Sequence, residues 1–177
     1  MGAIVNAANC DVAAAAGGAW VVTKTGGVDG VSDASAVSSA AIGGDFVLRL
    51  RPLGAGLCYL GVSANPAAGV SETTIERALQ LNAGVVRISE SGVLRPGSFA
   101  LATYGWIRRS GGSLQYLIGP LLATAMVRRT VGDAGAPLFF DSAIATAGFA
   151  VEVKFAAPAA YAARRPGARG LTLGVGL

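Results

Sequence analysis

The stretch Trp106-Ile107-Arg108-Arg109-Ser110-Gly111-Gly112-Ser113-Leu114-Gln115-Tyr116 decides the fold class of this chain. Its two halves alternate apolar and polar side chains on either side of a Ser-Gly-Gly turn. Glycine accepts the positive φ that a tight hairpin turn requires, and Trp, Ile, Leu and Tyr suit a pleated, half-buried surface. The sequence therefore predicts a β-hairpin here.

Strand patterns recur on both sides of this hairpin at the short spacing of an all-β domain. Phe46, Leu48 and Leu50 alternate with Val47 and two arginines, which predicts one face toward a core and one toward water. No long amphipathic helix interrupts the series, so the chain is predicted to be an antiparallel two-sheet β-sandwich. The segments with strand character are 20–25, 45–51, 57–62, 85–90, 106–110, 113–116, 137–142 and 149–155.

Residues 72–81 form the one segment where a helix competes with a strand. Ser71 could cap a helix in which Ile75 and Leu79 share one face. The same segment also alternates with a period near two, and the Asn-Ala-Gly that follows it is typical of a hairpin return. We therefore predict a strand.

Length and composition indicate one globular domain. The 177 residues are 53% hydrophobic, but no apolar run approaches the roughly 20 residues of a membrane span. The weakly polar stretch 12–22 lacks a basic leader and contains Gly17-Gly18, so we expect no secretory signal there. Membrane insertion is therefore not expected.

The net charge of +4 is concentrated at the C-terminus, where residues 156–177 carry Arg164, Arg165 and Arg169 and no acid. This Pro/Gly/Ala-rich segment is either an arm that docks on an acidic neighbour or a solvated terminus. Residues 1–155 are nearly neutral, which argues against nucleic-acid binding. We expect an N-terminal arm at 1–18, a sandwich at 19–155 and a basic C-terminal arm at 156–177.

The order of the strand segments carries a family resemblance over about three quarters of the chain. The series runs from Thr23-Lys24-Thr25 through Asp45-Phe46-Val47, Tyr59-Leu60-Gly61-Val62-Ser63, Glu90-Ser91-Gly92, the central hairpin and Pro137-Leu138 to Val153-Lys154-Phe155. It resembles the concanavalin A-like jelly-roll domain of bacteriophage tail and virion surface proteins and of bacterial adhesins. The resemblance implies a binding or structural module of a virion, with carbohydrate recognition as a further use.

This chain departs from that pattern at two places. Family members often carry an acidic residue just before the hairpin, where this chain has Ala102-Thr103. They also often carry Asn-Gly after the second hairpin strand, where this chain has Ile118-Gly119. A surface site is therefore not inherited automatically.

Few residues of this sequence are suited to enzymatic catalysis. Asp141, Glu90 and Glu152 are the acids to inspect for the paired carboxylates of glycoside hydrolysis. Glu152 alternates away from a buried face, and Asp141 ends a strand, where carboxylates commonly accept backbone hydrogen bonds. With no histidine there is no base of the usual kind for a serine nucleophile. We expect no enzyme, no cofactor and no metal site.

Aromatic and basic side chains supply the candidate binding residues. Trp20, Tyr59, Trp106 and Tyr116 are expected mainly in the core, whereas Tyr104 precedes the hairpin and is the best candidate for exposure. Tyr104, Trp106 and the arginine doublet of the hairpin form the predicted ligand-binding set, which is Tyr104, Trp106, Arg108 and Arg109.

A second arginine doublet and the C-terminal arginines are the predicted assembly residues. Neighbours on a strand point to opposite faces, so neither doublet can present both guanidinium groups to one ligand unless the strand bulges. The predicted assembly set is Arg128, Arg129, Arg164, Arg165 and Arg169. Cys10 and Cys58 are expected to be small buried hydrophobic residues, and a disulfide between them is the alternative.

Two functions follow as expectations. The first is a non-enzymatic virion surface protein, either a tail-fibre component or a head decoration, which binds other virion proteins and assembles as a symmetric oligomer, with a trimer as our expectation. The second is an adhesin module that binds bacterial surface glycans.

Overall fold

The computed structural model describes residues 3–66, 71–101 and 103–156, and it is built almost entirely of antiparallel β-strands. One 3-10 turn, Ala16–Gly18, joins two of the strands. The strands are β1 (Ile4–Ala8), β2 (Cys10–Ala15), β3 (Ala19–Lys24), β4 (Ser35–Ser38), β5 (Phe46–Pro52), β6 (Leu57–Ser63), β7 (Arg77–Asn82), β8 (Val85–Glu90), β9 (Val93–Leu94), β10 (Phe99–Ala100), β11 (Tyr104–Ser110), β12 (Ser113–Gly119), β13 (Met126–Gly132), β14 (Phe139–Ile144) and β15 (Ala150–Ala156).

Two large sheets pack face to face. The seven-stranded sheet has the order β13-β12-β11-β5-β15-β3-β2, and the six-stranded sheet has the order β10-β8-β7-β6-β14 with β9 beside β8. A ribbon of β1 and β4 lies next to β14, where the Ser142 hydroxyl bonds both backbone groups of Ala36 at 2.8 and 2.9 Å. The predicted antiparallel two-sheet sandwich is confirmed.

The core lies between the inner faces of the two sheets and consists of aliphatic and aromatic side chains. Phe46, Leu48 and Leu50 of β5 face it as the alternation predicts. The rings of Phe46 and Phe140 each meet Phe155 edge to face, with centroids 6.4 and 5.9 Å apart. Burial of these side chains, at roughly 1.5–3 kcal/mol each, is the main force that holds the sheets together.

The central hairpin forms as predicted. β11 and β12 pair from Tyr104 opposite Gly119 to Ser110 opposite Ser113. Gly111 and Gly112 both have positive φ, 57° and 77°, which is the geometry of a type I′ turn. Its strands occupy the interior of the seven-stranded sheet, with β5 on one side and β13 on the other.

The strand prediction for the ambiguous segment holds for its second half. β7 covers Arg77–Asn82 and pairs with β6 and β8. The preceding residues form a turn, in which the Thr74 amide donates to the Ser71 carbonyl at 3.0 Å.

Residues 4–15 of the segment expected to lie outside the sandwich form β1, which pairs with β4, and β2, which joins the seven-stranded sheet. β2 pairs with β3 along its whole length and forms one edge of the seven-stranded sheet. Cys10 and Val12 turn toward the core. The alanine-rich sequence concealed this strand because alanine has low β propensity, and contact with β3 and the core overrides that preference.

Lys24, at the end of β3, organises the loop that follows it. Its side chain is buried, and Nζ donates to the carbonyl oxygens of Val28, Val31 and Ala145 at 2.7, 2.8 and 2.9 Å and to Asp33 Oδ1 at 2.5 Å. The hydrogen bond from Lys24 lowers the pKa of Asp33. One buried ammonium thus fixes both ends of the loop and ties it to the strand connection after β14.

Candidate functional site

The outer face of the seven-stranded sheet brings polar and aromatic side chains of four strands together. Alternation along β11 places Tyr104, Trp106 and Arg108 on this face. The register then sets Trp106 opposite Arg49, and Arg49 in turn opposite Lys154. We call seven polar side chains of this face the outer patch: Arg49, Arg51, Tyr104, Arg108, Gln115, Glu152 and Lys154.

Glu152 is the one carboxylate of the outer patch and is held by two arginines. Its oxygens pair with Arg49 and, at 3.7 Å, with Arg51. The patch has four cationic side chains against this single acid. A further carboxylate on this face, that of Asp45, accepts a hydrogen bond from the Ser110 hydroxyl at 3.2 Å beside the hairpin turn, and a surplus of positive charge remains. A surface of this kind attracts anionic ligands.

Tyr104 lies in the first position of β11 rather than in a loop before it, and its ring is half-buried. The Arg49 guanidinium lies over one face of the ring, 4.8 Å from its centroid, and Trp106 contacts it edge to face at 5.4 Å. The expectation of an exposed loop tyrosine is therefore corrected: the ring is fixed by neighbours on two sides.

Arg108 keeps its predicted place on the surface of the hairpin. Its Nε donates to the Gln115 side-chain oxygen at 2.9 Å, and a second guanidinium nitrogen contacts the same oxygen. This contact fixes the guanidinium on the outer face, which alternation along β11 also gives to Tyr104 and Trp106. Arg108 is thus the predicted ligand-binding residue that the structure leaves best placed for a ligand.

Trp106 is buried, in agreement with its expected place in the core, and its burial argues against its membership of the predicted ligand-binding set. Only 2% of it is exposed, and its indole N–H donates to the Gly119 carbonyl at 3.0 Å. It packs with Val47 and Leu117 on the outer face, beneath Leu122 of the β12–β13 connection. That connection covers a part of the face that alternation alone assigns to water.

Arg109 is also buried, but on the inner face of the sheet. Its Nη2 donates to Asp133 Oδ1 at 2.9 Å and to the Ala136 carbonyl at 2.5 Å, and the guanidinium lies 5.7 Å from the Phe46 ring centroid. The hydrogen bond from Arg109 lowers the pKa of Asp133. Arg109 therefore anchors the segment after β13 and does not reach a surface ligand.

The Arg128-Arg129 doublet sits on a β-bulge. Arg129 lies opposite Tyr116 and Val127 opposite Leu117, so Arg128 is the extra residue. Both arginines consequently reach across to the six-stranded sheet. Arg128 lies 4.7 Å from the Phe99 ring centroid, and Arg129 binds Glu90. Both predicted assembly residues are thus engaged within their own chain, while Arg164, Arg165 and Arg169 lie outside the described residues.

The three acids considered for catalysis lie in three separate places. Glu152 is on the outer face of the seven-stranded sheet, and Glu90 lies between the sheets, bound to Arg129 and Arg95. Burial tends to raise the pKa of Glu90, but hydrogen bonds and charges from the two arginines outweigh it and lower the pKa.

Asp141 is buried beneath residues 71–76 on the far side of the six-stranded sheet. The Ser63 hydroxyl lies 3.0 Å from its Oδ2 and 3.2 Å from the Glu76 amide nitrogen, which donates to that hydroxyl. Burial raises the pKa of Asp141 to about 6. Its contacts are those of a structural carboxylate that helps to hold the covering segment.

Cys10 and Cys58 are both buried and are not joined by a disulfide, in agreement with the expectation of two small buried hydrophobic residues. Burial raises the pKa of each thiol, that of Cys10 to about 11.

In the described part of the chain, no group of three or more His, Cys, Asp or Glu side chains is placed to hold a metal ion. Within the same residues no helix is long and apolar enough to cross a membrane.

Sequence reasoning missed Arg49, Arg51, Gln115 and Lys154 as members of a site. Each was visible as a water-facing residue of a predicted strand. The pairing of β5 with both β11 and β15 brings them together, and the sequence of a single strand does not predict that pairing.

Comparison with known proteins shows the fold. No protein-family model and no curated protein matches the sequence. The TRIM65 PSpry domain superposes with a TM-score of 0.63 at 10% identity, covering 86% of this chain and 92% of that one. The exoplasmic domain of VIP36, solved with Ca²⁺ and Man3GlcNAc bound, gives 0.53 at 8% identity over 86% and 81%. The Bacillus licheniformis β-glucanase gives 0.50 at 8% over 88% and 91%.

These neighbours share one architecture and differ in what they do. SPRY domains, a lectin domain and a glycosidase all have concanavalin A-like jelly-roll sandwiches, and this chain has the same fold. At 8–10% identity the likeness concerns the fold alone.

Proposed function

We propose that this chain is a non-enzymatic module of the surface of a bacteriophage particle, a tail-fibre component or a head decoration, which binds other virion proteins and assembles as a symmetric oligomer. The observation that carries its non-enzymatic character is the separation of Glu90, Asp141 and Glu152. Glycoside hydrolysis requires two carboxylates that face one sugar. Each of these three is instead engaged by its own neighbours in a different layer of the sandwich.

The virion setting is supported by the ordered strand segments and their resemblance to phage surface domains. The test is immunogold electron microscopy with antibodies raised against the purified chain, applied to particles released by the source culture. Gold at the tail tip supports a fibre component, and gold over the head supports a decoration. Intact particles that carry no label, while the antibody recognises the chain in the lysate, would overturn the proposal.

The basic segment supports assembly on an acidic neighbour. Arg164, Arg165 and Arg169 lie together with no acid between them. We expect the full chain to form a closed oligomer, most simply a trimer, that weakens with added salt because exposed charges are screened. The variant with all three arginines replaced by glutamine should shift toward monomer in light-scattering measurements, with an unchanged melting temperature. A monomeric wild-type chain at micromolar concentration would refute assembly.

A second candidate function is recognition of acidic bacterial surface glycans by the outer patch. The specific observation is the cationic surplus around a fixed tyrosine: Arg51, Arg108 and Lys154 can meet carboxylate or phosphate groups, and the free edge of Tyr104 can contact a sugar ring. The VIP36 domain, which has the same fold, was solved with a glycan bound. The patch has no carboxylate free to attack a sugar, which favours binding over cleavage.

Titration of the full chain with host lipopolysaccharide tests this candidate. Arg108→Gln with Lys154→Gln should weaken saturable binding at least tenfold, and Tyr104→Ala should also weaken it. The matched controls are Arg87→Gln and Tyr59→Ala, an arginine and a tyrosine on the outer face of the six-stranded sheet. Equal binding by the patch variants and the wild type would refute the site.

A further inference from the structure

β13 forms an open edge of the seven-stranded sheet with aliphatic side chains. Within the described residues, β13 pairs only with β12. Met126 is 58% exposed and Val127 48%, and Leu121 in the preceding connection is 63% exposed. Open edges of this kind invite pairing by another strand, and proteins usually cover them or protect them with charge.

The register shows what a covering strand must present. Trp106 lies opposite Leu117, and Leu117 lies opposite Val127, so an apolar row crosses the outer face and ends at the open edge. On the inner face the same edge is closed by the contacts of Arg128 and Arg129 with the other sheet. A strand added to β13 would therefore direct its apolar side chains to the outer face, beside Val127.

The sequence contains a matching segment beyond the described residues. Leu171-Thr172-Leu173-Gly174-Val175-Gly176-Leu177 alternates strictly, so a strand at this position would have three leucines and a valine on one face. The opposite face would have one threonine and two glycines. It has no charge and no proline, either of which would hinder edge pairing.

The same chain can place this segment beside β13 in the antiparallel direction, and the residues before it are long enough to reach that position. Each of the four strand pairs from β15 to β13 is antiparallel, so the two strands run the same way and Ala156 ends at the same side of the sheet as Gly132. A strand antiparallel to β13 must begin at that side. The position beyond β13 is five strand spacings from β15, roughly 24 Å, and residues 157–170 can extend to roughly 46–50 Å.

We infer that residues 171–177 add to β13 of the same chain as an antiparallel eighth strand. The chain's own edge is favoured over that of a second copy because a random coil of this length has an end-to-end distance of roughly 20 Å, close to the required span. Residues 157–170 then cross the end of the sheet and display Arg164, Arg165 and Arg169 there. The inference is independent of whether the particle or a glycan is the partner.

Disulfide trapping in the full chain tests the inference. With Cys10 and Cys58 replaced by alanine, Val127→Cys is combined in turn with Leu171→Cys, Leu173→Cys and Val175→Cys. At least one pair should oxidise within the monomer, giving a mass lower by two hydrogens and faster migration on a non-reducing gel. Val93→Cys, an exposed valine on β9, is the matched control and should not cross-link. Cross-linked dimers, or no cross-link from any pair, would overturn the inference.

Hydrogen exchange supplies a second readout that requires no cysteine. Leu173→Asp in the full chain should accelerate exchange of the β13 amides at least tenfold, because a charge beside Val127 disfavours the added strand. Thr172→Asp places the same charge on the opposite face and should have a smaller effect. Equal exchange in the wild type and both variants would overturn the inference even if a disulfide had been trapped.

Discussion

Arg129 binds Glu90 across the two sheets through two parallel hydrogen bonds, from Nε to Oε1 at 2.8 Å and from Nη2 to Oε2 at 3.0 Å. Arg95 approaches the same carboxylate at 2.6 Å from the exposed side. Glu90 is only 5% exposed, so its charge depends on these partners. We call this pairing of Glu90 with Arg129 and Arg95 the clamp. The bulge at Arg128 makes it possible, because without the extra residue the register of β13 at Arg129 would change.

Loss of this clamp should destabilise the sandwich. Arg129→Met keeps the aliphatic stem but leaves Glu90 with Arg95 alone. We expect the free energy of unfolding to fall, by clearly less than the roughly 3–5 kcal/mol of a fully buried pair because Arg129 is partly exposed. Urea denaturation measures the change. Arg87→Met, on the outer face of β8, is the control and should change stability by less than about 0.5 kcal/mol.

Lys24 should be among the most sensitive positions of the chain. Lys24→Met removes the donor from three carbonyl oxygens and one carboxylate, and we expect a loss of about 3–5 kcal/mol. Hydrogen exchange should show the loop 25–33 opening before the rest of the sheet. The control is Lys154→Met, a half-buried lysine on the outer patch; equal losses for the two variants would contradict the role assigned to Lys24.

Asp141 should make the protein less stable as the pH rises. Its pKa is raised to about 6 in the fold, so between pH 4 and 6 the folded state binds more protons than the unfolded state. The free energy of unfolding should therefore fall through this window, and the penalty should be complete about one pH unit above the folded pKa. Asp141→Asn should remove it, gaining up to about 3 kcal/mol at pH 7.5 and little at pH 4. The difference between variant and wild type in urea denaturation at both pH values checks the sign.

Gly61 in β6 should not tolerate a side chain. A Cβ there would meet the Arg77 carbonyl oxygen and lie 2.7 Å from Cα of Ala78, so β6 and β7 would have to separate. We expect Gly61→Ala to cost about 3 kcal/mol or more. Gly112→Ala meets no atom within 4 Å but has φ of 77°, and it should cost only about 1 kcal/mol. Thermal unfolding of the pair separates steric clash from backbone strain.

The sequence predicts the elements whose signals are local. The alternation in β5 and β15 and the Gly111-Gly112 turn follow from side-chain periodicity and backbone conformation, and both are found as expected. The alanine-rich β2 was missed because its stability comes from β3, which is a partner rather than a property of its own residues.

The candidate site was only partly predictable for the same reason. Arg108 could be placed on the surface from alternation, but the covering of Trp106 by Leu122 and the inward pairing of Arg109 with Asp133 depend on distant segments. The outer patch combines β5, β11 and β15, which are far apart in sequence. Pairwise register creates the patch, and a single sequence does not specify register between such segments.

The buried ammonium of Lys24 also determines how the loop after β3 responds to its surroundings. Many loops of comparable oxygen content are ordered by a dissolved ion, and their order then rises and falls with the concentration of that ion. Here the positive charge is attached covalently to the strand, at fixed stoichiometry and with no dissociation equilibrium. The shape of this end of the sandwich is consequently set during folding itself, by a charge that is part of the strand.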